Sequence, residues 1–208
     1  MIRPSRSTRP ITAETSAWWS LGCFITELLC GKEKNMSKVR LTLKHAGGST
    51  HEIDIIIHPE WAPLGAERFM QLVDAKYFDN CPLYRNIPDF IVQWGIPANP
   101  AEWTKWGANK IKDDPVKHSN TLGTLSFATS GPDARGSQIF INLNDNTSQL
   151  DAQGFSPFAE LADPATAFPA LAGCATVQGV DQVSAKEEGA AYFAKFPSLS
   201  VWVSAAKI

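Results

Sequence analysis

The sequence predicts a mainly β protein, a barrel or sandwich of short strands. Apolar and polar residues alternate over several short runs, and Gly- or Pro-containing turns separate them. Few stretches show the period of about 3.6 residues expected of a helix. Strands in quick succession with few helices between them point to an all-β layer architecture.

The elements follow in chain order. Val39, Leu41 and Leu43 alternate with Arg40, Thr42 and Lys44, which predicts a half-buried strand. A turn at residues 45–49 leads to a second alternating run at Ile53, Ile55 and Ile57, making a hairpin. Pro63 suits the first turn of a helix, with Phe69, Leu72, Val73 and Lys76 on one face and Tyr77-Phe78 near its end. Five short β stretches come next: Leu83–Ile87, Phe90–Trp94, Thr124–Ala128, Gln138–Leu143 and Phe155–Leu161. A last strand is expected over Leu199–Val203, and the Ala/Pro-rich Asp163–Val183 stretch offers room for a short helix.

Composition narrows the function classes. The chain has 208 residues, 44% hydrophobic and 19% charged, enough for one good-sized domain or one domain with an appendage. A chain of this length buries well over half of its unfolded surface and needs no staple. The formal net charge of -2 carries no basic surplus, so neither nucleic acid nor membrane is expected as a partner. Seven Trp suggest wide aromatic packing or pocket lining. Cys23, Cys30, Cys81 and Cys174 form no C-x-x-C pair, and His45, His51, His58 and His118 lack metal-ligand spacing. Reduced, buried thiols are expected, with no metal and no cofactor.

Residues 1–36 read differently. Arg3, Arg6 and Arg9 precede the apolar run Ala17–Thr26, the outline of a signal peptide. Glu14 and Glu27 flank that run, no A-x-A-like site follows, and it falls short of the ~20 residues of a membrane span. Residues 16–32 (SAWWSLGCFITELLCGK) weakly resemble a protein-kinase segment, but the other kinase motifs are absent and Ala17 stands in place of its Asp. A fusion remnant, an artefact of start-site choice and an amphipathic helix all fit, and Met36 is a natural start. An extension over 1–36, helical or disordered, and a domain over 37–208 are therefore expected. A cytoplasmic location is expected, with secretory or organellar targeting by residues 1–36 left open.

Two segments carry the chemistry: Leu83–Gly95 (LYRNIPDFIVQWG) and Thr124–Phe158. The first matches F-x-R-x-I-P-x-F-x-x-Q-x-G, with Leu83 for the leading Phe. The second matches S-x-A-x-x-G-P…G-S-Q-x-F-I at Ser126, Ala128, Gly131, Pro132, Gly136, Ser137, Gln138, Phe140 and Ile141, then L-D-x-x-x-F-x-P-F at Leu150, Asp151, Phe155, Pro157 and Phe158. Two long patterns in order and spacing make a specific signal. In these residues the chain resembles the cyclophilin family of peptidyl-prolyl isomerases. It resembles still more closely a divergent bacterial, plant and algal subgroup with D-D-P-V-x-x-S-N-x-x-G-T (Asp113–Val116, Ser119-Asn120, Gly123-Thr124) and a tail E-G-x-x-Y…FP-x-L (Glu188-Gly189, Tyr192, Phe196-Pro197, Leu199).

The resemblance implies an eight-stranded antiparallel closed β-barrel with two capping helices. It implies cis–trans isomerisation of X-Pro bonds in peptides and unfolded proteins by a monomer, or, as the competing class, a proline-peptide binding module without turnover. Arg85 then corresponds to the catalytic arginine and Gln93 to the glutamine that orients it. Phe90, Ile91, Phe140 and Leu150 correspond to the proline socket, with Ala128, Thr129, Gln138, Gln149 and Phe155 as further substrate contacts. Singly, each would be an ordinary surface or core residue. Gln149 replaces a Trp, which implies weak cyclosporin binding, and Phe155 or Gly154 stands where the family has a His. Trp94 replaces a Gly, a change expected to affect the pocket rim. Trp103 and Trp106 lie in a loop that borders the family's groove, and His118 and Asp151 read as structural.

Overall fold

A computed structural model describes residues 37–208; the extension expected over residues 1–36, with its kinase-like segment, lies outside the described residues. Strands β1 (Lys38–Lys44) and β2 (Thr50–Ile57) form the first hairpin, in register from Lys38 opposite Ile56 to Lys44 opposite Thr50. Alternation sorts their side chains as the sequence leads one to expect. Val39, Leu41, Leu43, Ile53, Ile55 and Ile57 are buried, while Arg40 on the other face forks onto Asp54 at 2.7 and 2.9 Å. The remaining strands are β3 (Cys81–Pro82), β4 (Arg85–Ile87), β5 (Ile91–Trp94), β6 (Thr124–Phe127), β7 (Ile139–Asn142), β8 (Pro157–Leu161) and β9 (Val201–Lys207). All pair antiparallel in one sheet of order β3-β9-β1-β2-β8-β6-β7-β5-β4.

The expected closed barrel of eight strands is corrected in two respects. The sheet has nine strands, and its hydrogen-bonded order is open, with β3 and β4 at its two ends. The stretch expected as one strand, Leu83–Ile87, is the cause. Leu83 and Tyr84 leave the strands, Cys81–Pro82 pairs with β9, and Arg85–Ile87 pairs with β5. One piece of chain thus supplies both edges, and so short a link forces the sheet to curl without a ladder closing it. The last strand also begins later than expected, at Val201.

Helices outnumber the expected two among the described residues. Helix α1 (Pro63–Asp74) packs Phe69, Leu72 and Val73 into the core; Lys76 falls beyond its end and is exposed. Helix α2 (Pro164–Ala172) buries Ala167, Ala170 and Leu171. Helix α3 (Gln182–Glu188) and the turn Ala190–Phe193 occupy the tail, and shorter turns span Pro100–Glu102, Trp103–Gly107 and Thr147–Leu150. These are too short to show a helical period, and capping side chains define several of them. Asp181, for example, accepts from the backbone N–H groups of Val183 and Ser184 at the start of α3.

The start of α1 is capped from a distance. Its own N-cap residue, Ala62, has no side chain to offer. Asp114 instead accepts from the N–H groups of Leu64 (3.1 Å) and Gly65 (2.9 Å) and from the guanidinium of buried Arg135 (3.1 Å). That is the structural work of the D-D-P-V segment. Trp94 is not at the pocket rim, contrary to expectation. It is fully buried, edge-on to Trp202 at 5.5 Å, because alternation along β5 turns Val92 and Trp94 inward and Ile91 and Gln93 outward. Cys81 and Cys174 are free, buried thiols whose burial pushes them up to about 12 and about 11.

Candidate active site

Strand register builds the site. Arg85 lies opposite Gln93 in the β4–β5 pair, Gln93 opposite Phe140 in β5–β7, and Phe140 opposite Ser126 in β6–β7. These residues form one row across four strands, on the face of the sheet turned away from buried Val92, Ile139 and Ile141. Arg85 and Gln93 sit eight residues apart in the sequence and Ser126 and Phe140 more than thirty beyond Gln93; pairing brings them together.

A polar chain fixes the arginine. Arg85 Nη1 donates to Gln93 Oε1 at 3.0 Å. Because a guanidinium can only donate, Gln93 must turn its oxygen to Arg85 and its NH2 group the other way. That NH2 donates to the Tyr84 hydroxyl at 2.8 Å and to Gln138 Oε1 at 3.1 Å, while the Tyr84 hydroxyl donates to Gln138 Oε1 at 2.5 Å. Burial holds the Tyr84 phenol far above its ordinary pKa, so it remains a neutral donor. Gln93 is buried, whereas Arg85 is exposed.

Beside this chain lies an apolar socket separate from the main core. Ile91, Phe140 and Leu150 form its floor, and Phe90, Ala128 and Phe155 pack around them, half-buried. Phe155 meets Phe140 edge-on at 5.7 Å, so Phe155 rather than Gly154 faces the pocket. The Thr129 hydroxyl bonds Gly131 within its own turn.

Every residue assigned from the sequence to catalysis or substrate contact lines one cavity of about 450 Å³: Arg85, Gln93, Phe90, Ile91, Ala128, Thr129, Gln138, Phe140, Gln149, Leu150 and Phe155. The two loop tryptophans part company. Trp103 lines this cavity and Trp106 packs against the main core. His118 stacks on Trp61 at 3.6 Å. Asp151 takes two hydrogen bonds from Asn120, at 2.9 and 2.8 Å; burial would raise its carboxyl pKa, and these donors outweigh it and hold it low. Sequence reasoning missed Tyr84, Lys110, Gln182 and Lys186. Tyr84 stands beside Arg85 in the motif, where alternation assigns neighbours to opposite faces; leaving the ladder lets both serve one network. A second cavity, of about 420 Å³, shares Arg85 and Gln182 with the first. Among the described residues, no cluster of three His, Cys, Asp or Glu side chains could hold a metal ion.

The chain is 36% identical over 107 residues to peptidyl-prolyl cis-trans isomerase-like 3 of Dictyostelium discoideum, covering 48% of this chain and 64% of that protein. It is 39% identical over 108 residues to the protein of the same name from Neurospora crassa, with the same coverages. The chain thus spans somewhat less than two thirds of these relatives. A cyclophilin-type isomerase from Cryptosporidium parvum superposes with a TM-score of 0.60 at 19% identity, over 83% of this chain and 98% of that one, which shows the shared fold. A second structure of that protein, in the presence of the dipeptide Ala-Pro, gives 0.58 at 19% identity, over 81% and 97%. Residues 40–187 match the family described as cyclophilin type peptidyl-prolyl cis-trans isomerase/CLD. With well over half its length matched, this chain belongs to the cyclophilin-type peptidyl-prolyl cis-trans isomerase family.

Proposed function

We propose that this chain catalyses cis–trans isomerisation of X-Pro bonds in peptides and unfolded proteins. One observation carries the reading: Arg85, held by Gln93 at 3.0 Å, stands at an apolar socket set apart from the core. Rotation about an amide faces a barrier of about 18–20 kcal/mol because resonance makes the C–N bond partly double. In the twisted transition state the resonance is lost and the prolyl nitrogen regains its lone pair. A donor aimed at that nitrogen stabilises the transition state more than either planar isomer. The Arg85 guanidinium is that donor, always charged and rigidly forked. Gln93, Tyr84 and Gln138 orient it. The ring of the substrate proline fills the socket of Phe90, Ile91, Phe140, Leu150 and Phe155, and the backbone at Ala128–Thr129 binds the residue before it. No covalent intermediate or general base is needed. The isomerase comprises residues 37–208, with 1–36 appended; the family match beginning at residue 40 supports that boundary.

The test is turnover of a prolyl peptide by purified wild-type protein and Arg85→Ala. Loss of a charge-assisted bond made mainly in the transition state costs about 2–4 kcal/mol, or roughly 30- to 1000-fold in rate. Arg85→Lys rescues little, because one ammonium cannot reproduce the fork. Activity near wild type in Arg85→Ala would refute the assignment, and peptide binding without turnover in the wild type would favour a binding module.

A further inference from the structure

We propose that Trp103, Lys110 and Lys186 form an anion-recognising subsite, so that preferred substrates carry a carboxylate or phosphate side chain within a few residues of the proline. The inference rests on the isomerase reading and extends its site. The charged residues lining the 450 Å³ cavity are Arg85, Lys110 and Lys186, with no carboxylate among them. The two lysines close on one indole, their Nζ atoms 5.4 and 4.9 Å from the centre of the Trp103 ring. Neither enters an ion pair among the described residues. Of the neighbouring carboxylates, Glu188 pairs with Lys195 at 3.1 Å, and Asp181 caps α3 and feels the Lys186 charge without forming an ion pair with it. Burial, then the charges of Lys186 and Arg68, lower the Lys110 pKa, so like charges press on one another here. An anion arriving between them relieves that repulsion.

The wall is built from two separate elements. Lys110 follows the turn Trp103–Gly107, while Lys186 comes from α3, which is locked in place. Ala185 is fully buried in a cluster with Tyr84, Tyr192 and Trp103. The Tyr192 hydroxyl accepts from the Asp181 N–H at 2.7 Å. Gly189, at φ +57°, passes so close to Ala98 that an added Cβ would lie 2.3 Å from its carbonyl oxygen, the same oxygen that Ala190 N–H bonds at 2.8 Å. The tail pattern E-G-x-x-Y thereby presses a lysine-bearing helix against the pocket. A peptide whose proline fills the socket reaches Trp103 with its neighbouring residues.

The test uses the full chain and acetylated, amidated peptides around one Ala-Pro bond, with Ala, Glu, phosphoserine or Lys at each position up to about three residues from the proline. Exchange NMR reads catalysis and chemical-shift titration reads binding. At one position or more, Glu is expected to raise kcat/KM about fivefold over Ala, phosphoserine about tenfold, and Lys to lower it. The preference shrinks in the wild type as NaCl rises from about 20 to about 500 mM, a readout independent of how any variant folds. In Lys110→Gln/Lys186→Gln the Glu-to-Ala ratio falls to about one, and Lys186→Glu reverses it. No anion preference at any position, or a preference unchanged by salt or by the double variant, overturns the proposal. The Ala peptide separates the two readings: if it binds without accelerated exchange, the isomerase reading fails, while anion-selective binding still supports the subsite and its absence overturns it.

Discussion

At the scale of single residues, the site depends on which way an amide points. Gln93 can hold Arg85 only with its oxygen, so whatever receives its NH2 group sets the arginine's position, and Tyr84 is the nearer receiver at 2.8 Å. Tyr84→Phe keeps the buried ring and removes the hydroxyl. A loss of about 1–2 kcal/mol in the transition state, or roughly 5- to 30-fold in kcat/KM, is expected, with little change in Tm. In an Arg85→Ala background the same change should add almost nothing. Full additivity would show that Tyr84 acts apart from the arginine. Gln149 tests the pocket edge. It is exposed on the cavity wall, where the family carries a Trp that packs on cyclosporin. If about 80 Å² of apolar contact is missing at ~25 cal/mol per Å², Gln149→Trp gains about 2 kcal/mol, roughly 30-fold in cyclosporin affinity. Peptide turnover is expected to change far less, since the socket lies deeper. Titration of both proteins decides this, and equal affinities would contradict it.

At the scale of elements, short pieces are held by partners far off in the chain. Helix α1 starts at Ala62-Pro63 with no local capping side chain, and its first N–H groups are satisfied by Asp114, about fifty residues on and with its side chain 2% exposed. Asp114→Ala therefore strips the helix start of its acceptor and leaves Arg135 buried with one carboxylate fewer. Breaking a buried pair from one side costs about 3–5 kcal/mol, which for a domain of this size lowers Tm by roughly 6–20 °C. A melting shift below about 2 °C would mean that the bond network does not stabilise α1. The register of β4, β5 and β7 acts likewise on the site. Slipping β4 by one residue against β5 would exchange Arg85 for buried Asn86, whose amide donates to the Cys174 carbonyl at 2.8 Å and so resists the slip.

At the scale of the whole molecule, a chain beginning at Met36 is expected to fold and to turn over prolyl peptides like the full chain. Every described strand lies after that point, and among the described residues β1 pairs with β2 and β9. Circular dichroism and peptide turnover of that shorter chain check this, and an insoluble or inactive product would place residues 1–35 within the fold. The alternation at Val39–Leu43 and Ile53–Ile57 determined the first hairpin unaided, because period-two burial is a local property of a strand. The two long patterns likewise determined which residues would meet at the site, Arg85 and Gln93 above all. Local sequence could not decide the split of Cys81–Ile87 into two edge strands, the inward turn of Trp94, or the helices of the tail. Those depend on which strand each short segment finds as a neighbour. Nor could it place Tyr84, Lys110 and Lys186 at the pocket, since the strand break and the close approach of α3 at Gly189 that bring them there exist only once the sheet has curled.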